Sequence, residues 1–235
     1  MDLRRTPEEG SSPVEELKRA IKFLELMGFK EVRLPEGVVE RAFDPIEELE
    51  KVKEEAQKCC KCRLCKTRHN VVFGEGDPQT NLMFVGEAPG EQEDLQGRPF
   101  VGRAGQLLSK FLNLYGVTRD QIYITNVLKC RPPNNRDPAP DEIEACYPFL
   151  EKQIELISPK VILCLGAFAA RTILNLPERT PISRIRGKEH KTTIGGVEVT
   201  VIPTFHPAYL LRNRRGEPEF QKDLELALRL AGFLK

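Results

Sequence analysis

The chain has 235 residues, 36 Lys plus Arg against 35 Asp plus Glu, and 40% apolar content, a globular balance that excludes fibrous and disordered classes. A net charge of +1 excludes a uniformly basic nucleic-acid coat, no apolar run approaches the ~20 residues of a membrane span, and the first nine residues contain no secretory apolar stretch. A chain of this length can bury roughly 70–75% of its unfolded surface, so its seven cysteines are not needed as disulfide staples. A reducing cytoplasm is expected, where cysteines bind metal or do chemistry.

Charge and pattern divide the chain unevenly. Residues 1–55 carry 10 Lys and Arg against 15 Asp and Glu, whereas residues 171–215 carry 9 against 3, a local basic face that would attract phosphates whatever the base sequence. Ser12-Pro13-Val14-Glu15 is a capping box with Pro at the first helical position, and Val14, Leu17, Ile21, Leu24 and Met27 recur at helical spacing up to Gly28, which predicts an amphipathic helix. Asp44-Pro45-Ile46-Glu47 repeats the start signal and predicts a charged helix with Ile46, Leu49 and Ala56 on one side, leading into the cysteines. Residues 1–55 are therefore expected to form a helical extension and residues 56–235 an α/β domain.

Beyond residue 80, short apolar runs at 82–85, 122–125, 161–165 and 199–202 alternate with helical stretches at 105–115, 141–157 and 167–174. The expected architecture is a three-layer α/β/α fold on a central, mainly parallel sheet of about four strands. Such sheets bind ligands at the carboxyl ends of their strands, where this chain places Gly86-Glu87-Ala88-Pro89-Gly90, Asn126, Gly166 and His206-Pro207-Ala208. No G-x-G-x-x-G or G-K-[ST] follows any predicted strand, which excludes a dinucleotide or P-loop reading.

Cys59, Cys60, Cys62 and Cys65 precede this core, and Cys130 and Cys146 lie inside it. Two C-x-x-C pairs overlap, 59/62 and 62/65. Either lets one tight turn aim two thiolates at a metal, with the distant cysteines completing four ligands. The distal pair forms no second knuckle, which places iron–sulfur ahead of zinc. Cys164, in mid-strand, reads as a small hydrophobe.

Four segments together resemble the motif set of the family-four, iron–sulfur uracil-DNA glycosylases: Gly86-Glu87-Ala88-Pro89-Gly90-Glu91, Gly97-Arg98-Pro99-Phe100-Val101-Gly102, Thr125-Asn126-Val127-Leu128-Lys129-Cys130-Arg131-Pro132-Pro133 and His206-Pro207-Ala208-Tyr209-Leu210-Leu211-Arg212. The resemblance runs from about residue 59 to residue 235 and leaves the extension outside it. It implies a 4Fe-4S cluster on Cys59, Cys62, Cys130 and Cys146, the register following from Leu64, Arg68, Asn70-Val71-Val72 and Gly74-Glu75-Gly76. The 62/65 pair stays open as the rival. The implied activity is that of a monofunctional glycosylase of base excision repair, which flips uracil out of DNA and hydrolyses its N-glycosidic bond to leave an abasic site.

The resemblance also assigns roles. Uracil offers O4 as acceptor and N3–H as donor, which one side-chain amide satisfies while mispairing with cytosine, and Asn126 matches the family's reader. Phe100 matches the ring stacked on the flipped base. His206 matches the catalytic histidine facing O2 of the departing base, with backbone N–H groups of Gly86 to Ala88 as further donors. Family-one enzymes offer an Asp for the water where this chain has Ala88, so Glu87 is the nearest carboxylate to position it. Gly90 stands where their Tyr excludes the thymine methyl, a role the resemblance moves to Glu93. Leu210 is the candidate wedge behind the extruded base, and Arg212, Arg214 and Arg215 are the candidate phosphate contacts. Glu91 and Asp94 read as a solvated acidic loop. The cluster reads as structural, because hydrolysis transfers no electron.

Two other readings stand beside this one. A uracil-DNA binding protein would capture its substrate without turnover, as a relative of the family does through an inserted loop histidine; Pro132-Pro133-Asn134-Asn135-Arg136-Asp137 contains none. An iron–sulfur electron carrier would leave Asn126, Phe100 and His206 unexplained. The expected partner is uracil-containing DNA, single- or double-stranded, for a monomer in the cytoplasm or on the nucleoid, with no membrane involved and a sliding clamp or other repair protein left open.

Overall fold

The computed structural model describes residues 44–235, together with residues 21, 23, 24 and 26–28. The chain divides into two compact units, Met1–Glu48 and Leu49–Lys235. In the first, the capping box at 12–15 and the start of its expected helix lie outside the described residues, whereas Ile21, Phe23, Leu24 and Leu26 are helical and Gly28, at φ 86, lies in a turn. Helix α1, Pro45–Lys58, begins where Asp44 Oδ1 accepts the Ile46 N–H at 2.9 Å. Its buried face is Leu49, Val52 and Ala56, while Ile46 is 41% exposed. Leu49, Val52 and Ala56 on the apolar side of α1 belong to the core of the second unit.

The second unit is built on six strands: β1 (Glu75–Gly76), β2 (Leu82–Gly86), β3 (Tyr123–Asn126), β4 (Val161–Leu165), β5 (His190–Ile194) and β6 (Val197–Thr204), in the order β1-β3-β2-β4-β6-β5. The central four, β3, β2, β4 and β6, are parallel, and every residue of the first three is buried. These are the expected strands. The expectation of about four omitted the two edges, which pair antiparallel: β1 is only two residues long, and β5 alternates exposed polar with inward residues instead of forming an apolar run. The turn Gly195-Gly196, with φ of 55 and 83, closes the β5–β6 hairpin, as two-residue hairpins with positive φ do.

Helices cover both faces. They are α2 (Glu91–Gln96), α3 (Arg103–Leu114), α4 (Pro140–Ile157), α5 (Ala167–Ile173), α6 (Ile182–Ile185), α7 (Pro207–Leu210) and α8 (Glu217–Leu230). Successive side chains of a strand point to opposite faces. On β2, Met83 and Val85 pack with Phe149, Leu150 and Ile154 of α4 and Ala169 and Ala170 of α5; Leu82 and Phe84 pack with Leu108 and Leu112 of α3 and Phe220 and Leu224 of α8. The result is a three-layer α/β/α fold with two apolar cores, each fully buried large side chain contributing about 1.5–3 kcal/mol. The chain steps from β2 to β3 on one side and returns to β4 on the other, so the topological switch lies at the carboxyl end of β2, where such sheets open a crevice. No helix among the described residues is long and apolar enough to cross a membrane.

One buried carboxylate joins the segments that carry the cysteines. Glu142, wholly buried on α4, accepts from Arg63 Nε at 2.9 Å, from both Arg136 Nη atoms at 2.6 and 2.8 Å, and from the Ala139 N–H at 2.9 Å. The Arg136 hydrogen bonds lead in holding its pKa down to about 2. Because that value lies below the ~4.3 of an unfolded Glu, the stabilisation is complete above pH ~4.3 and is lost as pH falls towards 2. Glu142→Gln is expected to lower stability by about 2–3 kcal/mol, less than the ~3–5 of a fully buried pair because both arginines are partly exposed. The check is a lower urea midpoint at pH 7, with the gap from wild type narrowing below pH 4.

Candidate active site

The floor of the crevice follows from strand register. Gly86 ends β2 directly beside Asn126, which ends β3. A Cβ at Gly86 would collide with Asn126 Oδ1 and with the Phe100 ring, so a bare backbone is what lets an amide and an aromatic ring stand over the same point. The loops after β2 and β3 are laced together by Val127 N–H to Gly86 O at 2.9 Å and Leu128 N–H to Glu87 O at 3.0 Å. The Asn126 carbonyl is held from below by Lys129 Nζ at 2.7 Å, whose other donors meet Thr125 Oγ1 at 2.7 Å and Gln153 Oε1 at 2.6 Å. Asn126 itself is 2% exposed, and its Oδ1 has no hydrogen-bond partner among the described residues. A buried acceptor left unmade costs about 1–3 kcal/mol, a cost that a ligand's N–H would remove.

Phe100 and His206 form the walls, their ring centroids 5.8 Å apart and inclined at 34°. His206 precedes α7, and since Pro207 has no N–H, the first free donor of that helix is Ala208, which donates to His206 Nδ1 at 3.1 Å. An accepting Nδ1 puts the ring proton on Nε2. Burial lowers the His206 pKa to about 4 against the opposing charge of Glu93, so the neutral imidazole with an Nε2–H donor is the working form near pH 7. Glu87 shifts the other way, raised to about 7 by burial and then by Asp137. Glu93 lies on the cavity wall and also spends Oε1 on the N–H groups of Val101 and Gly102, at 2.9 and 2.8 Å.

Glu87, Ala88, Glu93, Phe100, Asn126, His206 and Arg212 line one open cavity of about 610 Å³. Arg103, Asn135 and Leu211, to which the sequence motifs assign no role, line it too. Asn135 and Asn134 are both in left-handed backbone, with φ of 52 and 56, and the doubled Asn is the sequence signal for that turn.

The cysteines separate in the same way. Cys59, Cys62, Cys130 and Cys146 line a single internal cavity with Ala56, Leu64 and Phe149, whereas Cys60 is exposed and neither it nor Cys65 reaches that space. Three of the four sulfurs accept N–H groups: Cys59 from Lys61 N at 3.5 Å, Cys130 from Arg68 Nη1 at 3.3 Å and Cys146 from Lys129 N at 3.2 Å. Arg68 also holds the Cys59 carbonyl at 2.8 Å. Among the described residues no three Cys, His, Asp or Glu side chains converge on a single ion; the four thiols are instead spread around a common cavity. Cys164 is fully buried in β4.

The profile of the uracil DNA glycosylase superfamily matches residues 73–229. A type-4 uracil-DNA glycosylase of Archaeoglobus fulgidus is 48% identical over 189 residues, 80% of this chain and 95% of that protein. One of Thermotoga maritima is 52% identical over 169 residues, 72% of this chain and 86% of that protein. The chain belongs to the type-4 uracil-DNA glycosylase family. A type-5 uracil-DNA glycosylase of Pyrobaculum aerophilum is more distant, 32% identical over 150 residues, 57% of this chain and 64% of that protein.

Packing bears on two of the expectations drawn from the sequence. Leu210 is fully buried in the cluster with Phe220 and Leu224, so it is not available as a wedge. The single turn of α7 rolls it inward and leaves Leu211, 38% exposed, on the cavity rim. Asp94 is not part of a solvated loop. It is 1% exposed and accepts from His69 Nδ1 at 2.7 Å and from the His69 and Asn70 N–H groups at 2.9 and 3.3 Å, tying the segment after the cysteines to α2. Arg212, Arg214 and Arg215 are exposed as expected.

Proposed function

We propose that the chain removes uracil from DNA by hydrolysing its N-glycosidic bond, with the residues of the β2–β3–β6 crevice as the machinery. The observation that carries this reading is the buried, unpartnered Asn126 Oδ1 beside Phe100 and a neutral His206. Uracil supplies N3–H to that oxygen and O4 to the Asn126 amide N–H, whereas cytosine would set an unprotonated N3 against it. Phe100 stacks on the base. As the bond breaks, His206 Nε2–H and the backbone N–H groups of Gly86 to Ala88 donate to O2, where charge grows in the low-dielectric crevice. Glu87 as carboxylate orients the water towards the sugar carbon, and Glu93 fills the space a thymine methyl would need. Release of the base restores the site for further turnover, which separates this activity from capture alone.

Four thiols around one cavity, with N–H donors already on three sulfurs, suit a 4Fe-4S cluster better than a single ion. Cys59, Cys62, Cys130 and Cys146 would hold it. Bound there, the cluster supplies cross-linking of three chain segments and no redox step in the reaction. DNA lies over the rim: Leu211 takes the wedge role, and Arg212, Arg214 and Arg215 hold phosphates. A second groove continues from Leu211 along α3, lined by Arg103, Gln106, Lys110 and Arg214. Arg103 and Lys110 have no ion-pair partner among the described residues, unlike Arg98, Arg119 and Arg136, which suits them to a phosphate backbone.

The direct test is release of uracil from an oligonucleotide containing one uracil, scored by alkaline cleavage. His206→Ala is expected to slow single-turnover excision roughly 100- to 1000-fold while uracil-DNA affinity stays within a few-fold; equal loss of binding would remove His206 from the chemistry. Since Glu87 must be ionised and titrates near 7, the rate should rise with pH below 7 and level off above it, and Glu87→Gln should abolish that limb. His206, with its pKa near 4, cannot produce it.

Iron analysis tests the cysteine register. Cys59→Ser and Cys62→Ser should lose bound iron and the broad absorption near ~400 nm that an iron–sulfur site gives, while Cys60→Ser and Cys65→Ser should keep both. For the DNA groove, Arg103→Gln with Lys110→Gln should weaken binding to uracil-free duplex and flatten the plot of log affinity against log salt by nearly one unit for each phosphate no longer neutralised.

A further inference from the structure

Phe100 has a backbone that its residue type resists. Five non-glycine residues among those described have positive φ; the others are three Asn and one Ser, and Phe100, at φ 51, is the only aromatic. Left-handed backbone is unfavourable for a bulky side chain and persists where the surroundings over-determine it. Here they do so from three sides. Arg119 Nη1 donates to the Phe100 carbonyl at 2.9 Å, and Nη2 donates to the Pro99 carbonyl at 2.6 Å. Glu93 Oε1 takes the next two N–H groups, at Val101 and Gly102. Gly105 of α3 receives the Phe100 carbonyl so closely that a Cβ there would overlap it.

Arg119 is in turn aimed by Glu75. Its Nη2 meets Glu75 Oε1 at 2.7 Å, and Arg98, whose Nε meets Glu75 Oε2 at 2.7 Å and whose Nη2 meets Oε1 at 3.2 Å, holds that carboxylate from the other side. The placement of these groups matters. Arg119 lies in the turn that leads into β3, Glu75 lies on β1 paired opposite Ile124 of β3, and the far end of β3 is Asn126. Arg119 does not line the cavity.

The geometry points to Arg119 as a positioning residue: oriented by Glu75, it clamps the Pro99 and Phe100 carbonyls so that the Phe100 ring is held at a set distance from Asn126, and the base slot is preformed. This rests on the roles of Phe100 and Asn126 proposed above. Its consequence is that Arg119 affects excision through Phe100 and not independently of it, which a double-mutant cycle detects.

Single-turnover excision rates are measured for wild type, Arg119→Met, Phe100→Ala and the double variant, with iron content and thermal midpoint recorded for each. Arg119→Met is expected to slow excision about 10- to 100-fold, the scale of a small misplacement at a reacting site, and Glu75→Gln should slow it less. The double variant should match Phe100→Ala within about twofold. A double variant slowed by the product of the two single effects would show that Arg119 only supports the fold, and would overturn the proposal; so would a wild-type rate in Arg119→Met. If Arg119→Met fails to fold, Arg119→Lys keeps a charge for Glu75 without the planar fork that spans two carbonyls, and a wild-type rate in that variant overturns the proposal equally. Wild type that releases no uracil would instead defeat the proposed function, an outcome visible before any variant is compared.

Discussion

The parallel pairing of β2 with β3 is the constraint on which the crevice depends, because it sets the bare backbone of Gly86 beside the amide of Asn126. The absence of a Cβ there gives the Phe100 ring and the amide a common approach. The fold then supports that juxtaposition at some cost to itself. It leaves a buried oxygen without a donor, buries a lysine under the Asn126 carbonyl, and keeps a phenylalanine in left-handed backbone. Costs gathered at one point while two apolar cores are well packed are what a preorganised site looks like.

Burial is the leading cause that drives His206 and Glu87 in opposite directions. It disfavours whichever form is charged, so the imidazole of His206 stays neutral far below pH 7 while the carboxyl of Glu87 holds its proton up to about 7. The N–H of Ala208 then selects the tautomer, because Pro207 cannot compete for Nδ1. Desolvation thus places a neutral imidazole donor and a carboxyl that ionises only near pH 7 in one cavity.

The cysteine cavity and the crevice share chain segments. Lys129, under Asn126, donates its backbone N–H to Cys146 Sγ and precedes Cys130; Arg68 joins Cys59 to Cys130; Glu142, one turn before Cys146, gathers Arg63 and Arg136. Asp94 closes the circuit by fastening His69 and Asn70 to the helix that carries Glu93. A cross-link at the four thiols would brace the strand that ends in Asn126 through these bonds.

The sequence by itself determined the four central parallel strands, the helices between them and the loops at their carboxyl ends, because apolar periodicity and turn residues are local properties that tertiary packing here leaves in force. Through the resemblance to the family-four glycosylases it also marked Asn126, Phe100 and His206, whose motifs stand in that family's order and spacing. Only the tertiary structure decided the rest. The overlapping pairs 59/62 and 62/65 have identical spacing; the resemblance favours 59/62, and the packed chain sets Cys59 and Cys62, without Cys65, on the cavity that Cys130 and Cys146 also line. Leu210 and Leu211 are adjacent and chemically alike, and the rotation of one helical turn decides which is core and which is rim. Asp94 sits in an acidic run that reads as solvated, and only the folding of His69, 25 residues away, against it shows otherwise. Arg119 and Glu75, 44 residues apart, carry no motif that links them. Each depends on which side of a backbone faces which distant segment, and that is a property of the packed chain.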